Sequence, residues 1–173
     1  MDAAVDTSGT VIGEQIAGIS GWLRGLDDTP ADLVVSEGLS LIGRITGADR
    51  VVLTTVHGGV ASTAAVHPLD LRAVEDTRAC DVEWLPWGVP GVRAQQFVFA
   101  GDARRLPAGP SGGVTLGDLG VRSAAYLPVT DAGRTVGALH LWWSTPVDVW
   151  DDAYGAVIRN VTRLLLDRVD RPR

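Results

Sequence analysis

The chain has 173 residues and a formal charge of −6, long enough to bury about two-thirds of its unfolded surface in one domain. All fifteen basic residues are arginine, dispersed singly or in the pair Arg104–Arg105, so no basic stripe exists to neutralise a phosphate backbone and nucleic acid is not expected as a partner. Cys80, the single cysteine, excludes an internal disulfide, a CxxC redox pair and a cysteine-rich zinc site; with no leader-like start and no apolar run of about 20 residues, the expected setting is the cytoplasm without a membrane partner.

Ile12, Ile16, Ile19, Leu23 and Leu26 recur at the a/d spacing of a helix that buries a narrow seam. Gly13, Gly18, Gly21 and Gly25 weaken that helix by about 1 kcal/mol each, so it should form only when docked, either on its own domain or on a twin from a second subunit. The dimer is the reading preferred here. Thr29 and Pro30 predict a second helix start and Gly47 its stop. Residues 50–56 and 60–66, rich in β-branched side chains around Gly58–Gly59, predict a hairpin.

Asp70 to Cys80 reads as a short helix, and Trp84, Pro86, Trp87, Pro90 and Gly91 mark an irregular connection. Gln95 to Ala100 reads as a strand, residues 107–113 as a loop and Thr115 to Leu119 as a helical turn. Ser123–Val129 and Thr135–Ser144 predict a second hairpin, and a last helix is expected from near Asp148 with Tyr154, Ile158, Val161 and Leu165 on its buried face. This order implies an α+β fold, an antiparallel sheet of five to six strands with the terminal helices on one face. Residues 1–28 would form an N-terminal helix suited to dimerisation, and residues 29–170 the domain proper.

The run Gly120-Val121-Arg122-Ser123-Ala124-Ala125-Tyr126-Leu127-Pro128-Val129, followed by Val136-Gly137-Ala138-Leu139-His140-Leu141, closely resembles the C-terminal signature of GAF domains. Trp150-Asp151-Asp152 and the stretch from Phe97 to Arg105 are similar to that family's last-helix opening and pocket-lining strand. The resemblance implies a small-molecule or chromophore sensor, commonly dimeric, with a pocket on the sheet face opposite the helices.

Strand side chains alternate between faces. Placing Leu127, Val129, Leu139 and Leu141 against the helices leaves Ala124, Tyr126, Pro128, Ala138, His140 and Trp142 for the pocket, a mix of rings and hydrogen-bonding groups suited to a ligand. The candidate ligand-binding residues are therefore Tyr126, His140, Trp142, Ala124, Phe97, Phe99, Asp102, Trp84 and Trp87. His140 could ligate haem iron or bond a ligand, or be a neutral core histidine satisfied by a carbonyl. Trp84, Trp87 and Trp142 could form an aromatic cage or simply fill the core. Asp102 could recognise a ligand hydroxyl or amine, or cap the segment after its strand; Arg104 and Arg122 could pair with an anionic ligand or lie in solvent.

No cofactor is assigned. In bilin-binding GAF domains the end of the corresponding strand carries a histidine where this chain has Trp142, and no cysteine lies near for a thioether, so a bilin is not expected. Reductases of the GAF type that act on methionine sulfoxide use several cysteines, and this chain has one. No G-x-S-x-G elbow, H-E-x-x-H, P-loop or CxxC pair occurs, so no catalytic or metal-binding residue is expected. Three readings result: a small-molecule sensor signalling through terminal helices, an interaction module whose pocket its own tryptophans fill, and a haem or flavin sensor.

Overall fold

The computed structural model describes residues 14, 18, 19, 21–23, 25, 26, 28–68, 79–108 and 115–170. Ile12 and Ile16 of the N-terminal seam, the helix expected over most of 70–80 and most of the loop expected at 107–113 lie outside the described residues. The described residues include helical positions between 14 and 23, the helices α1 (Ala31–Thr46) and α2 (Asp152–Val169), and the strands β1 (Arg50–His57), β2 (Val60–His67), β3 (Cys80–Asp81), β4 (Val98–Ala100), β5 (Ser123–Asp131) and β6 (Arg134–Trp143). The strands form one antiparallel sheet in the order β3-β2-β1-β6-β5-β4.

Local chemistry accounts for most boundaries. Gly47 ends α1 in the left-handed conformation (φ 67°), which glycine adopts without a Cβ clash. Pro30 stands just before α1 rather than inside it, and no side chain caps that end; instead the Pro30 carbonyl accepts from the amides of Leu33 and Val34. Both hairpins turn through two consecutive left-handed residues, Gly58–Gly59 and Ala132–Gly133, the handedness that matches strand twist. β3 was not expected from the sequence, because two residues carry no alternation to read. The last helix begins at Asp152 rather than near Asp148, since Trp150 leaves the helical path to pack against Phe97 and Phe99.

The sheet register sorts side chains into rows of alternate facing. One row runs Val98, Tyr126, His140, Val52 and Val66; the next places Leu127, Leu139 and Leu53 side by side. Leu53, Leu127, Leu139 and Leu141, all fully buried, pack with Val34, Leu39 and Ile42 of α1 and with Ile158, Val161 and Leu165 of α2. The leucine placement expected from alternation is therefore observed, and the opposite rows point away from the helices.

Ile19 and Leu23 are buried in this same core, and the buried Arg168 of α2 donates to the Leu23 carbonyl at 3.0 Å. The described part of the N-terminal seam thus docks on its own chain. Ile19, Leu23 and Leu26, part of the a/d spacing read above as favouring a dimer, are answered by the chain's own core.

Candidate functional site

The outer face of the sheet is floored by Ala124, Tyr126, Ala138, His140 and Trp142 and covered by two stretches of irregular chain. Around Tyr126 and Ala138 the cover is Leu85, Trp87 and Ala94; around Ala124 and Trp142 it is Ala103, Leu106, Leu116, Leu119 and Val121. Trp87 touches both groups. Its ring lies edge-on at 6.1 Å from Tyr126 and 6.1 Å from His140, which are themselves 5.2 Å apart, within the range of favourable aromatic contact.

Polar bookkeeping on this face is incomplete. The Tyr126 hydroxyl donates to the Ala94 carbonyl at 2.7 Å, tying the cover to the sheet, and burial pushes its pKa above the ordinary phenol value. His140 Nε2 lies 3.2 Å from the Thr54 hydroxyl. Burial lowers the His140 pKa to about 4, so the imidazole is neutral at physiological pH. His140 Nδ1, Trp87 Nε1 and Trp142 Nε1 are all buried without a hydrogen-bond partner among the described residues. An unsatisfied buried polar group costs about 1–3 kcal/mol, and three on one face of one sheet form a concentration that native cores avoid.

Two openings adjoin this layer. A cavity of about 300 Å³ beside Trp142 is bounded by Asp49, Arg50, Ser144 and residues 119–121. Asp49 is locked there by Ser144, whose amide and hydroxyl both donate at 2.6 Å and hold the carboxyl below its ordinary pKa. A larger cleft of about 600 Å³ lies at the hairpin end of the sheet, between residues 82–95 and the turns of both hairpins.

Trp87 is also conformationally marked. It holds φ at 53°, a left-handed conformation that costs a residue with a Cβ about 1–2 kcal/mol. Gly88 follows with φ 61°, and a Cβ there would stand 2.7 Å from the Trp84 ring. The turn is therefore held by packing of Trp84 on a glycine backbone.

Of the expected site residues, Ala124, Tyr126, His140, Trp142 and Trp87 come together. Phe97 and Phe99 do not. Val98, paired with Tyr126, takes the outer position, which turns its two neighbours to the helix side; there Phe97 and Phe99 pack with Trp150, and Phe99 also with Trp143. Trp84 is 41% exposed and covers Gly88 rather than joining a cage. Asp102 accepts from the Arg104 backbone amide and from Nε and Nη2 of its side chain, the last two at 2.7 and 3.0 Å, and caps the turn Ala103–Arg105. These bonds from Arg104 lower its pKa, so both partners are committed to each other. Thr54, Leu85 and Ala94 were missed by sequence reading; Thr54 alone had a signal, its parity with Val52 in β1.

The residues present do not fit a haem. His140 is 97% buried, its Nε2 is engaged by Thr54 and the rings of Trp87 and Tyr126 pack against the imidazole. Among the described residues no group of three or more His, Cys, Asp or Glu is placed to hold a metal ion, and no helix is long and apolar enough to cross a membrane. Cys80 is half-buried on β3, its thiol pKa raised first by burial and then by Asp81, the opposite of an activated thiolate.

No family model matches the sequence, and no curated protein matches it. Solved structures do match by shape. The GAF domain of an Acinetobacter phosphoenolpyruvate-protein phosphotransferase superimposes with a TM-score of 0.66 at 12% identity, over 90% of each chain. A free methionine-R-sulfoxide reductase from Neisseria meningitidis, solved with its substrate, gives 0.63 at 15% identity over 98% of this chain and 94% of its own. A GAF domain/HD domain protein from Geobacter sulfurreducens gives 0.60 at 16% identity, over 85% and 95%. The six-stranded antiparallel sheet with its helices packed together on one face is the GAF fold.

Proposed function

We propose that this chain is a sensory domain that binds a small planar molecule on the outer face of the sheet and relays its occupancy through β5 and β6 to the helices behind them. The observation that carries this reading is the set of three buried, unpartnered ring nitrogens, Trp87 Nε1, His140 Nδ1 and Trp142 Nε1. A heteroaromatic ligand with carbonyl or ring-nitrogen acceptors would satisfy the two indole donors, and the neutral imidazole can either donate or accept. The cavity beside Trp142 offers entry. Trp87 is the group an occupant must displace, and its left-handed backbone and unpaired N–H both lower the cost of moving it.

The Neisseria relative is an enzyme, but thiol-based reduction of a sulfoxide needs an attacking thiolate and a second thiol to close a disulfide. This chain has Cys80 alone, with its thiol held protonated by burial. We read the domain as regulatory rather than catalytic. In this reading the helical layer also mediates a homodimer. Trp22, 39% exposed on the N-terminal helical segment, is the apolar group there suited to an interface, since Ile19 and Leu23 face inward.

Native mass spectrometry of freshly purified protein tests both parts, because it reports subunit number and any retained molecule. The expected result is a non-covalent small molecule carried by the native chain and lost from Trp142→Phe and His140→Gln, each of which keeps the fold. Equal retention by both variants would remove the outer face from the site. A second reading, an interaction module whose pocket Trp87 fills permanently, is favoured by the close packing of Trp87 on Tyr126 and His140; a bare native protein that also takes up no heteroaromatic fragment would select it.

A further inference from the structure

The 600 Å³ cleft at the hairpin end of the sheet has a different chemistry from the aromatic layer. Its volume is that of a small-molecule site, and Val56, Val82, Val92 and Val136 give it apolar walls. Arg93 and Arg134 both line it, one on the irregular cover and one at the start of β6. Neither guanidinium has an ion-pair or hydrogen-bond partner among the described residues, where Arg44 and Arg104 both do. Glu83 contributes one opposing carboxylate, so the charged groups lining the cleft sum to a net positive charge in a chain whose total is −6.

Thr135 supplies a second, independent sign. It lines the same cleft, is 93% buried, and its hydroxyl has no hydrogen-bond partner. A buried hydroxyl without a partner is rare in a finished core, and in a cleft also lined by two guanidiniums without partners among the described residues it adds a third donor for an anion. The Gly58–Gly59 turn, with no side chains, leaves the mouth open on the remaining side.

We infer that this cleft is a second binding site, distinct from the Trp87–His140–Trp142 layer, for a small organic carboxylate with an apolar body. Arg93 and Arg134 hold the carboxylate through charge-assisted hydrogen bonds, Thr135 donates to it, and the four valines enclose the chain or ring attached to it.

Titration of the intact chain with octanoate, octanamide and inorganic phosphate, followed by backbone and indole NMR shifts, tests this. Octanoate should bind, shifting the amides of Gly58, Gly59, Arg93 and Arg134 while the indole of Trp142 stays in place. Octanamide, which has the same body without the charge, should bind at least tenfold more weakly, and phosphate, which has the charge without the body, should not compete at equal concentration. Arg93→Gln and Arg134→Gln, at exposed positions, should each weaken octanoate about tenfold, and Thr135→Val should weaken it with the fold unchanged. Equal affinity for octanoate and octanamide, competition by phosphate, or unaltered binding in the double arginine variant would overturn the assignment. Since the indole of Trp142 reports the aromatic layer separately, failure here leaves the sensory reading standing, and the reverse holds.

Discussion

Trp142 and Trp143 are neighbours in β6 with the same side chain, both nearly inaccessible to solvent, and their circumstances differ in almost every other respect. Trp143 points to the helices, donates from Nε1 to the Thr46 carbonyl at 3.1 Å and packs with Phe99 and Trp150. Trp142 points outward, keeps its Nε1 unpaired and sits beside a cavity. The two faces repeat this contrast. The helix side is closed, its leucine row continuing into the Phe97, Phe99, Trp143 and Trp150 cluster, with Arg168 and the Thr162 hydroxyl bonded to backbone carbonyls. The outer side is aromatic, with three ring nitrogens unanswered. One face is finished in that its buried polar groups are answered by its own chain; the other keeps three ring nitrogens without a partner among the described residues.

The largest expected effect comes from the finished face. Leu139, fully buried between Leu53 and Leu127, should cost about 4 kcal/mol when replaced by alanine, measured by urea denaturation. A loss under about 1 kcal/mol would mean that the leucine row is not the core.

Acidification should strike the outer face next. The His140 pKa of about 4 lies below the ordinary 6.5, so the unfolded chain binds a proton that the folded chain refuses as pH falls through this interval. Stability should therefore be complete above pH 6.5 and decline toward pH 4, by about 3 kcal/mol over the window. Denaturation curves of the native chain and of His140→Gln should diverge in slope against pH across that range. Parallel slopes would show that His140 protonates freely when folded.

The smallest effect sharpens the comparison most. Trp143→Phe removes a donor and leaves the Thr46 carbonyl without that partner, whereas Trp142→Phe removes a donor that had no partner. The first should be more destabilising by about 1 kcal/mol, although both delete the same atoms. Equal losses would indicate that Trp142 Nε1 is bonded in solution.

The division between the faces was legible in the sequence because β5 and β6 are long and alternate without interruption over Ser123–Val129 and Gly137–Trp143, so the leucines and the set Tyr126, His140 and Trp142 fall on opposite sides. β4 has three residues, too few to declare a face; its pairing of Val98 with Tyr126 decides the matter, and that contact is 28 residues distant in sequence. Trp84 and Trp87 were inseparable by composition, and only the left-handed turn at Trp87 and Gly88 sends one ring inward and leaves the other on the surface. The a/d seam shows a related limit. Spacing specifies a narrow apolar stripe but not whose stripe answers it, and Ile19 and Leu23 are answered by the chain's own core. The arginine cleft gave no signal at all, since Arg93 and Arg134 are 41 positions apart.

Indole and imidazole NMR during titration with a library of heteroaromatic fragments bearing carbonyl or ring-nitrogen acceptors addresses the unfinished face directly. The expected result is that binding fragments move the Trp87 and Trp142 Nε1–H signals and the His140 ring nitrogens, while the Trp143 Nε1–H signal, already bonded to Thr46, remains fixed. Fragments that bind only at the helical layer, or none that reach Trp142 and His140, would contradict the assignment of the outer face as a ligand site.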